Sequence, residues 1–141
     1  MAQHDGESGD RWPGEQLGLP ERGPGSIASF GRRVLAIFID WAIVMLFGTV
    51  LALMLTREET TAGLWALVLF AVMHVLLVGT LGVTAGKRMT RIQVVRGMGA
   101  PGIPAAALRT ALLLLIVPAI IVAPDGRALH DRAAGTIQLQ M

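Results

Sequence analysis

The sequence predicts an all-α membrane protein, with two transmembrane helices as a hairpin, a third short or re-entrant apolar helix, and a small cytoplasmic β-ribbon. Three observations carry that expectation. Hydrophobic residues make up 53% of the 141-residue chain and charged residues only 16%, and mean hydropathy is +0.60, far from the balance of a water-soluble domain. Two runs, Val34 to Leu55 and Ala62 to Val83, each reach the roughly 20 apolar residues a helix needs to cross about 30 Å of hydrocarbon. The polar turn between them, Thr56 to Thr61, is short enough to force an antiparallel pair.

Ahead of the first run, residues 1–28 are rich in glycine, proline and acids, with Asp5, Glu7, Asp10, Glu15 and Glu21 set against Arg11 and Arg22. Such a composition buries too little apolar surface to fold, so a disordered acidic tail is expected, followed by one membrane domain over 29–141. Ser26 or Ser29 is placed to cap a lead-in through Phe30. No cleavable signal peptide is expected, because the first apolar stretch follows a long polar tail and has full spanning length.

The first span, about 34–55, contains Asp40 and begins just after Arg32 and Arg33. A charge near the centre of a membrane helix costs roughly 2.5 to 3.5 kcal/mol on insertion scales, so a retained carboxylate faces a bundle interior or a watery cavity and is a functional candidate. Arg33 lies two helical turns earlier, on nearly the same face but about 10 Å away along the axis.

The second span, about 62–83, carries His74 at a depth close to that of Asp40, about 14 Å against about 9 Å from their respective inner ends. A hydrogen bond or proton relay between them is one reading, and plain interhelical glue is the other. Gly82 and Gly86 stand at a spacing that lets another helix approach closely. The connector after this span holds Lys87, Arg88, Arg91 and Arg96, whereas the turn between the spans holds only Arg57. The positive-inside rule therefore places the N-terminus and the connector in the cytoplasm of a multi-pass cytoplasmic-membrane protein.

The third segment, about 105–122, carries Arg109 one turn in and Pro118 near its end. From Thr110 to Val122 it offers only about 20 Å of uncharged helix. Either it spans with Arg109 snorkelling to the interface, or it dips in, breaks near Pro118 and returns. Ile92 to Val95 and Thr136 to Gln140 alternate like strands and would pair as a ribbon if both lie on one side, which favours the re-entrant path.

Several function classes are disfavoured. The absence of cysteine removes disulfides and thiolate metal sites. Three histidines without ligand spacing make no metal site, and His130-Asp131-Arg132 reads as a polar turn. Gly97 to Gly102 matches G-x-G-x-x-G, but Pro101 and Pro104 and a membrane-bound following helix argue for a flexible turn. No nucleophile and base constellation presents itself, so no enzyme activity, cofactor or nucleic-acid partner is expected.

Taken in order, Arg33 with Arg32 beside it, Asp40, and Asp131 within Leu129-His130-Asp131-Arg132-Ala133-Ala134-Gly135-Thr136 resemble the pattern of the RDD family of small bacterial membrane proteins. Gly82-Val83-Thr84-Ala85-Gly86-Lys87-Arg88 resembles the family's connector, and Ala107-Leu108-Arg109-Thr110 its entry to the third segment. The resemblance implies signature roles for Arg33, Asp40 and Asp131. It suggests transport, including sodium/proton exchange in some members. On this reading Asp40 alternates between proton and cation, Arg33 tunes it, His74 relays protons, and Asp131 pairs with a basic group of the connector. Arg109 is a further candidate partner for Asp40. Three apolar segments enclose a pathway poorly, so transport implies a homo-oligomer in the lipid bilayer. The competing expectation is a non-transporting membrane adaptor whose Arg and Asp residues fasten the helices together.

Overall fold

The computed structural model describes residues 12–115 and 120–141. Helix α1 (Phe30–Leu55) and helix α2 (Ala62–Leu81) form the hairpin. A short helix α3 (Ala85–Met89) and strand β1 (Ile92–Val95) follow, then helix α4 (Ile103–Leu114), helix α5 (Leu129–Ala134) and strand β2 (Ile137–Gln140).

α1 starts at Phe30, where the Ser29 side chain accepts the N–H of Arg32 at 3.4 Å and so satisfies one orphan amide of the first turn. With 26 residues it is about 39 Å long, and α2 with 20 residues about 30 Å, so both reach across a hydrocarbon core. Their buried residues recur every fourth position. On α1 the stripe is Ala36, Asp40, Val44, Gly48 and Ala52, with Arg33 also buried ahead of it, and on α2 it is Ala62, Ala66, Phe70, His74 and Val78, with Gly79 buried beside its end. The stripes interlock through small residues, for a Cβ on Gly48 would lie 2.7 Å from the backbone nitrogen of Ala66. The opposite faces are apolar and exposed, with Phe38 at 67% and Leu64 at 64%. An apolar surface of that extent has no place in water and fits acyl chains. The protein is a multi-pass membrane protein in contact with lipid.

α4 does not complete a third crossing. Its 12 residues span about 18 Å. The N–H of Gly102 bonds the carbonyl of Gly79 at 3.0 Å, so α4 enters beside the end of α2. Leu113 reaches the Val44, Ala66 and Phe70 cluster, yet by Gly126 the chain is back at the start of α1, where Arg33 Nη2 donates to the Gly126 carbonyl at 2.7 Å. Pro118, expected at the break, lies outside the described residues.

β1 and β2 pair antiparallel, Ile92 opposite Gln140 and Val95 opposite Ile137. The ribbon forms because both strands lie at the same end of the bundle. Residues before α1 join it, with Gly25 N–H on the Gln140 carbonyl at 2.8 Å and Ala28 N–H on the Gln138 carbonyl at 2.9 Å. Pro13 packs near Gly126 and Ile27 near Gly14. The packed region thus extends ahead of residue 29, because β2 offers these residues a free edge. Residues 1–11 of the acidic tail lie outside the described residues.

Candidate functional site

Two buried carboxylates organise the basic end of the bundle, and each is held by a different set of donors. Asp40 projects from the buried stripe of α1 with no solvent exposure. Thr84 Oγ1 donates to its Oδ2 at 2.5 Å, and the Gly86 amide donates to its Oδ1 at 2.7 Å. His74 Nε2 lies 3.6 Å and Lys87 Nζ 4.0 Å from the same Oδ2, and these two nitrogens are 3.5 Å apart. Asp40, His74 and Lys87 form one compact triad.

Local sequence explains the convergence. Gly82 ends α2 in the left-handed region at φ 72°, a conformation glycine adopts without penalty, and a Cβ there would strike the Val94 carbonyl oxygen. Thr84 caps α3, its hydroxyl accepting the Lys87 amide at 3.3 Å while donating to Asp40. At Gly86 a Cβ would strike the Ala36 carbonyl oxygen, so only glycine lets α3 lie against α1. The next residue, Lys87, is then buried at 1% exposure. Burial pushes its ammonium down to about 8, with a further push from the Arg109 charge that Asp40 and Asp131 oppose. His74 is positioned by its Nδ1 contact with the Phe70 carbonyl at 3.2 Å and by stacking on the Phe70 ring at a centroid distance of 4.0 Å.

Asp131 occupies the second centre, in the first turn of α5 with no exposed surface. Arg109 Nε donates to its Oδ1 at 2.7 Å, Thr136 Oγ1 to Oδ1 at 3.0 Å, and Gln138 Nε2 to Oδ2 at 2.7 Å. Burial alone would raise the carboxyl. The Arg109 and His130 charges and the Gln138 hydrogen bond outweigh it and hold Asp131 down at about 2. His130 Nε2 lies 3.5 Å from Asp131 Oδ2 and 3.4 Å from Arg109 Nη2. Among the described residues, Arg109 Nη1 and Thr110 Oγ1 are buried polar atoms without a hydrogen-bond partner.

The sequence model of the RDD family matches residues 27–135, which takes in both carboxylates and every element that holds them except β2. The chain belongs to the RDD family. Comparison with curated proteins and with solved structures returned no match. The family assignment brings no enzymatic activity with it, and among the described residues no group of three or more His, Asp or Glu is placed to hold a metal ion.

In this RDD protein Arg33, Asp40 and Asp131, the residues expected to carry the family signature, share no hydrogen bond or ion pair with one another among the described residues. Arg33 donates through Nε to the Ala28 carbonyl at 2.8 Å and through Nη2 to Gly126, tying the entry of α1 to the returning chain. Arg109, a candidate partner for Asp40 by depth, pairs instead with Asp131, because α5 packs over the start of α4. Asp131 draws its hydrogen bonds from Arg109 of α4, from Thr136 and from Gln138 of β2, while Lys87 of the connector interacts with it through charge. Arg32 reaches the Thr90 carbonyl at 3.4 Å, and Arg88 is exposed. Sequence reasoning passed over Thr84, Thr136 and Gln138 as partners. Thr84 had a readable signal in Gly82-x-Thr84-x-Gly86-Lys87, whereas Gln138 was hidden in a strand whose inward face could not be fixed without the register.

Proposed function

We propose that this RDD protein is transport-related, with Asp40 as a carboxylate that responds to a proton or a cation. The observation that carries this reading is the convergence of Lys87 Nζ and His74 Nε2 on Asp40 Oδ2, both within 4.0 Å and all three side chains withdrawn from solvent. An intramembrane carboxylate fastened only for architecture is best served by fixed donors, as Asp131 is by Arg109. Asp40, besides its fixed donors Thr84 and Gly86, faces two groups that can each gain or lose a proton, Lys87 and His74. Lys87 acts as a tethered cation that competes with a free one for Oδ2, and His74 passes protons between them.

Two spans and a short third helix are too few to enclose a pathway comfortably, so on this reading a homo-oligomer supplies the remaining wall. The basic end, with Arg32, Arg33, Lys87 and Arg88, is assigned to the cytoplasm. Proteoliposome flux of protons and monovalent cations, compared between the native chain and Asp40→Asn, tests the proposal. Loss of flux in the variant supports it, and unaltered flux removes Asp40 from the mechanism.

The second reading, a non-transporting adaptor, is favoured by the Arg109–Asp131 pair and by the two carbonyls held by Arg33. Those contacts hold α1, α4, α5 and β2 together whatever Asp40 does. It expects no flux from the native chain, and recovery of folded protein when Arg109→Asp is combined with Asp131→Arg.

A further inference from the structure

Beside the triad, on the outer face of the bundle, lies a cavity of about 390 Å³ lined by Arg32, Leu35 and Ile39 of α1 and by Met89, Thr90 and Arg91. Its walls divide by chemistry. Arg32, Leu35 and Ile39 stand at i, i+3 and i+7 and so share one face of α1. Arg32 sits at the mouth of the span, and Ile39 lies about 10 Å deeper. Leu35 is 54% and Met89 69% exposed, both toward the lipid side. Neither Arg32 nor Arg91 has an ion-pair partner among the described residues, and the Thr90 carbonyl holds Arg32 at 3.4 Å on the cavity rim.

Arg91 adds an independent observation. It stands in the left-handed region at φ 57°, where a side chain is disfavoured and glycine is not. The chain needs that turn to pass from α3 into β1. An arginine there carries a cost that the turn itself does not require.

We propose that this cavity is a binding site for an anionic phospholipid, its phosphate bridged by Arg32 and Arg91 and an acyl chain lying along Leu35, Ile39 and Met89. Two guanidiniums at interface depth match a phosphate in charge and fork geometry. The apolar stripe directly above them matches the chain attached to it. A zwitterionic headgroup would bring its own ammonium toward two uncompensated arginines, so the site discriminates for net negative lipid. The inference is independent of whether Asp40 carries an ion.

The test uses the full chain in detergent, with lipid retention read by native mass spectrometry and stabilisation by thermal unfolding. Phosphatidylglycerol, phosphatidylcholine and inorganic phosphate are added separately. Phosphatidylglycerol is expected to be retained and stabilising, and each of Arg32→Gln and Arg91→Gly to weaken retention about fivefold. Arg91→Gly removes backbone strain, so its loss of lipid cannot be ascribed to unfolding. Arg57→Gln, at the other end of the hairpin, is expected to retain lipid fully. Equal retention of phosphatidylcholine, native-like retention in both cavity variants, or an equal loss in Arg57→Gln would overturn the site. Stabilisation by inorganic phosphate equal to that by lipid would reduce it to a phosphate site and overturn the lipid assignment.

Discussion

Gly86 donates its backbone N–H to Asp40 Oδ1 at 2.7 Å, and it can do so only because it has no side chain between α3 and the Ala36 carbonyl of α1. The hydrogen bond and the close approach are one requirement. A Cβ at residue 86 pushes α3 off α1 and lengthens the amide contact, and α3 also carries Lys87 and the Thr84 cap.

Gly86→Ala is therefore expected to lower stability by about 3 kcal/mol through overpacking against backbone that cannot rotate away. Thermal unfolding in detergent, followed by tryptophan fluorescence, measures it. Ala85→Gly, one position away and exposed, is the comparison, with an expected loss of about 1 kcal/mol. Equal losses in the two variants would remove the packing argument.

Asp131 is expected to govern the acid limb of stability. Its carboxyl titrates at about 2 in the folded chain against an ordinary 3.8, so the unfolded chain binds more protons between those values and stability rises as pH increases across them. The contribution, about 2 kcal/mol, is fully present above pH 4 and lost as pH drops through about 2. Asp131→Asn removes the charge that compensates buried Arg109 and is expected to cost about 3 to 5 kcal/mol at neutral pH. The variant should also lose this share of the acid limb, as read from unfolding midpoints between pH 2 and 5.

Much of this arrangement is legible in the sequence alone. The two spans followed from hydropathy and length, and the ribbon from two short alternating pieces that required a shared side. Asp40 and His74 announced themselves as polar residues in apolar helices, and both sit on the four-residue stripes of small and buried side chains. What stayed hidden were partners separated by long stretches of chain. Depth along a helix placed Arg109 as near to Asp40 as to anything else, and only the docking of α5 assigns it to Asp131. Depth fixes one coordinate, whereas ion pairing also needs the rotation of each helix. The contribution of residues 25–28 to the ribbon was equally invisible, since main-chain pairing to a strand edge needs no particular side chains.

Thr110 offers a test in the stabilising direction. Its hydroxyl is buried with no partner among the described residues, and an unsatisfied buried hydroxyl costs about 1 to 3 kcal/mol. Thr110→Val keeps the branched shape and removes the polar atom, so thermal stability is expected to rise by about 1 kcal/mol. A fall in the unfolding midpoint would show that the hydroxyl does have a bonding role.

Lys87 is expected to govern the alkaline limb, where stability again rises with pH but because a buried charge is lost, not because one is gained. Its amine titrates at about 8 in the folded chain against an ordinary 10.5. Between those values the unfolded chain binds more protons, so stability rises with pH across the window and the destabilising share returns as pH falls through 8. The groups acting on the amine are Asp40 from α1, His74 from α2, Arg109 from α4 and Asp131 from α5, and only His74 among them titrates near neutrality in its ordinary form. The rise is expected to be on the order of 3 kcal/mol. It should vanish in Lys87→Met, which has no proton to lose, and in Lys87→Arg, whose guanidinium stays charged throughout. Unfolding midpoints of the three proteins between pH 7 and 10.5 give the measurement. A native rise that persists in both variants would place the titrating group elsewhere and detach Lys87 from the Asp40 triad.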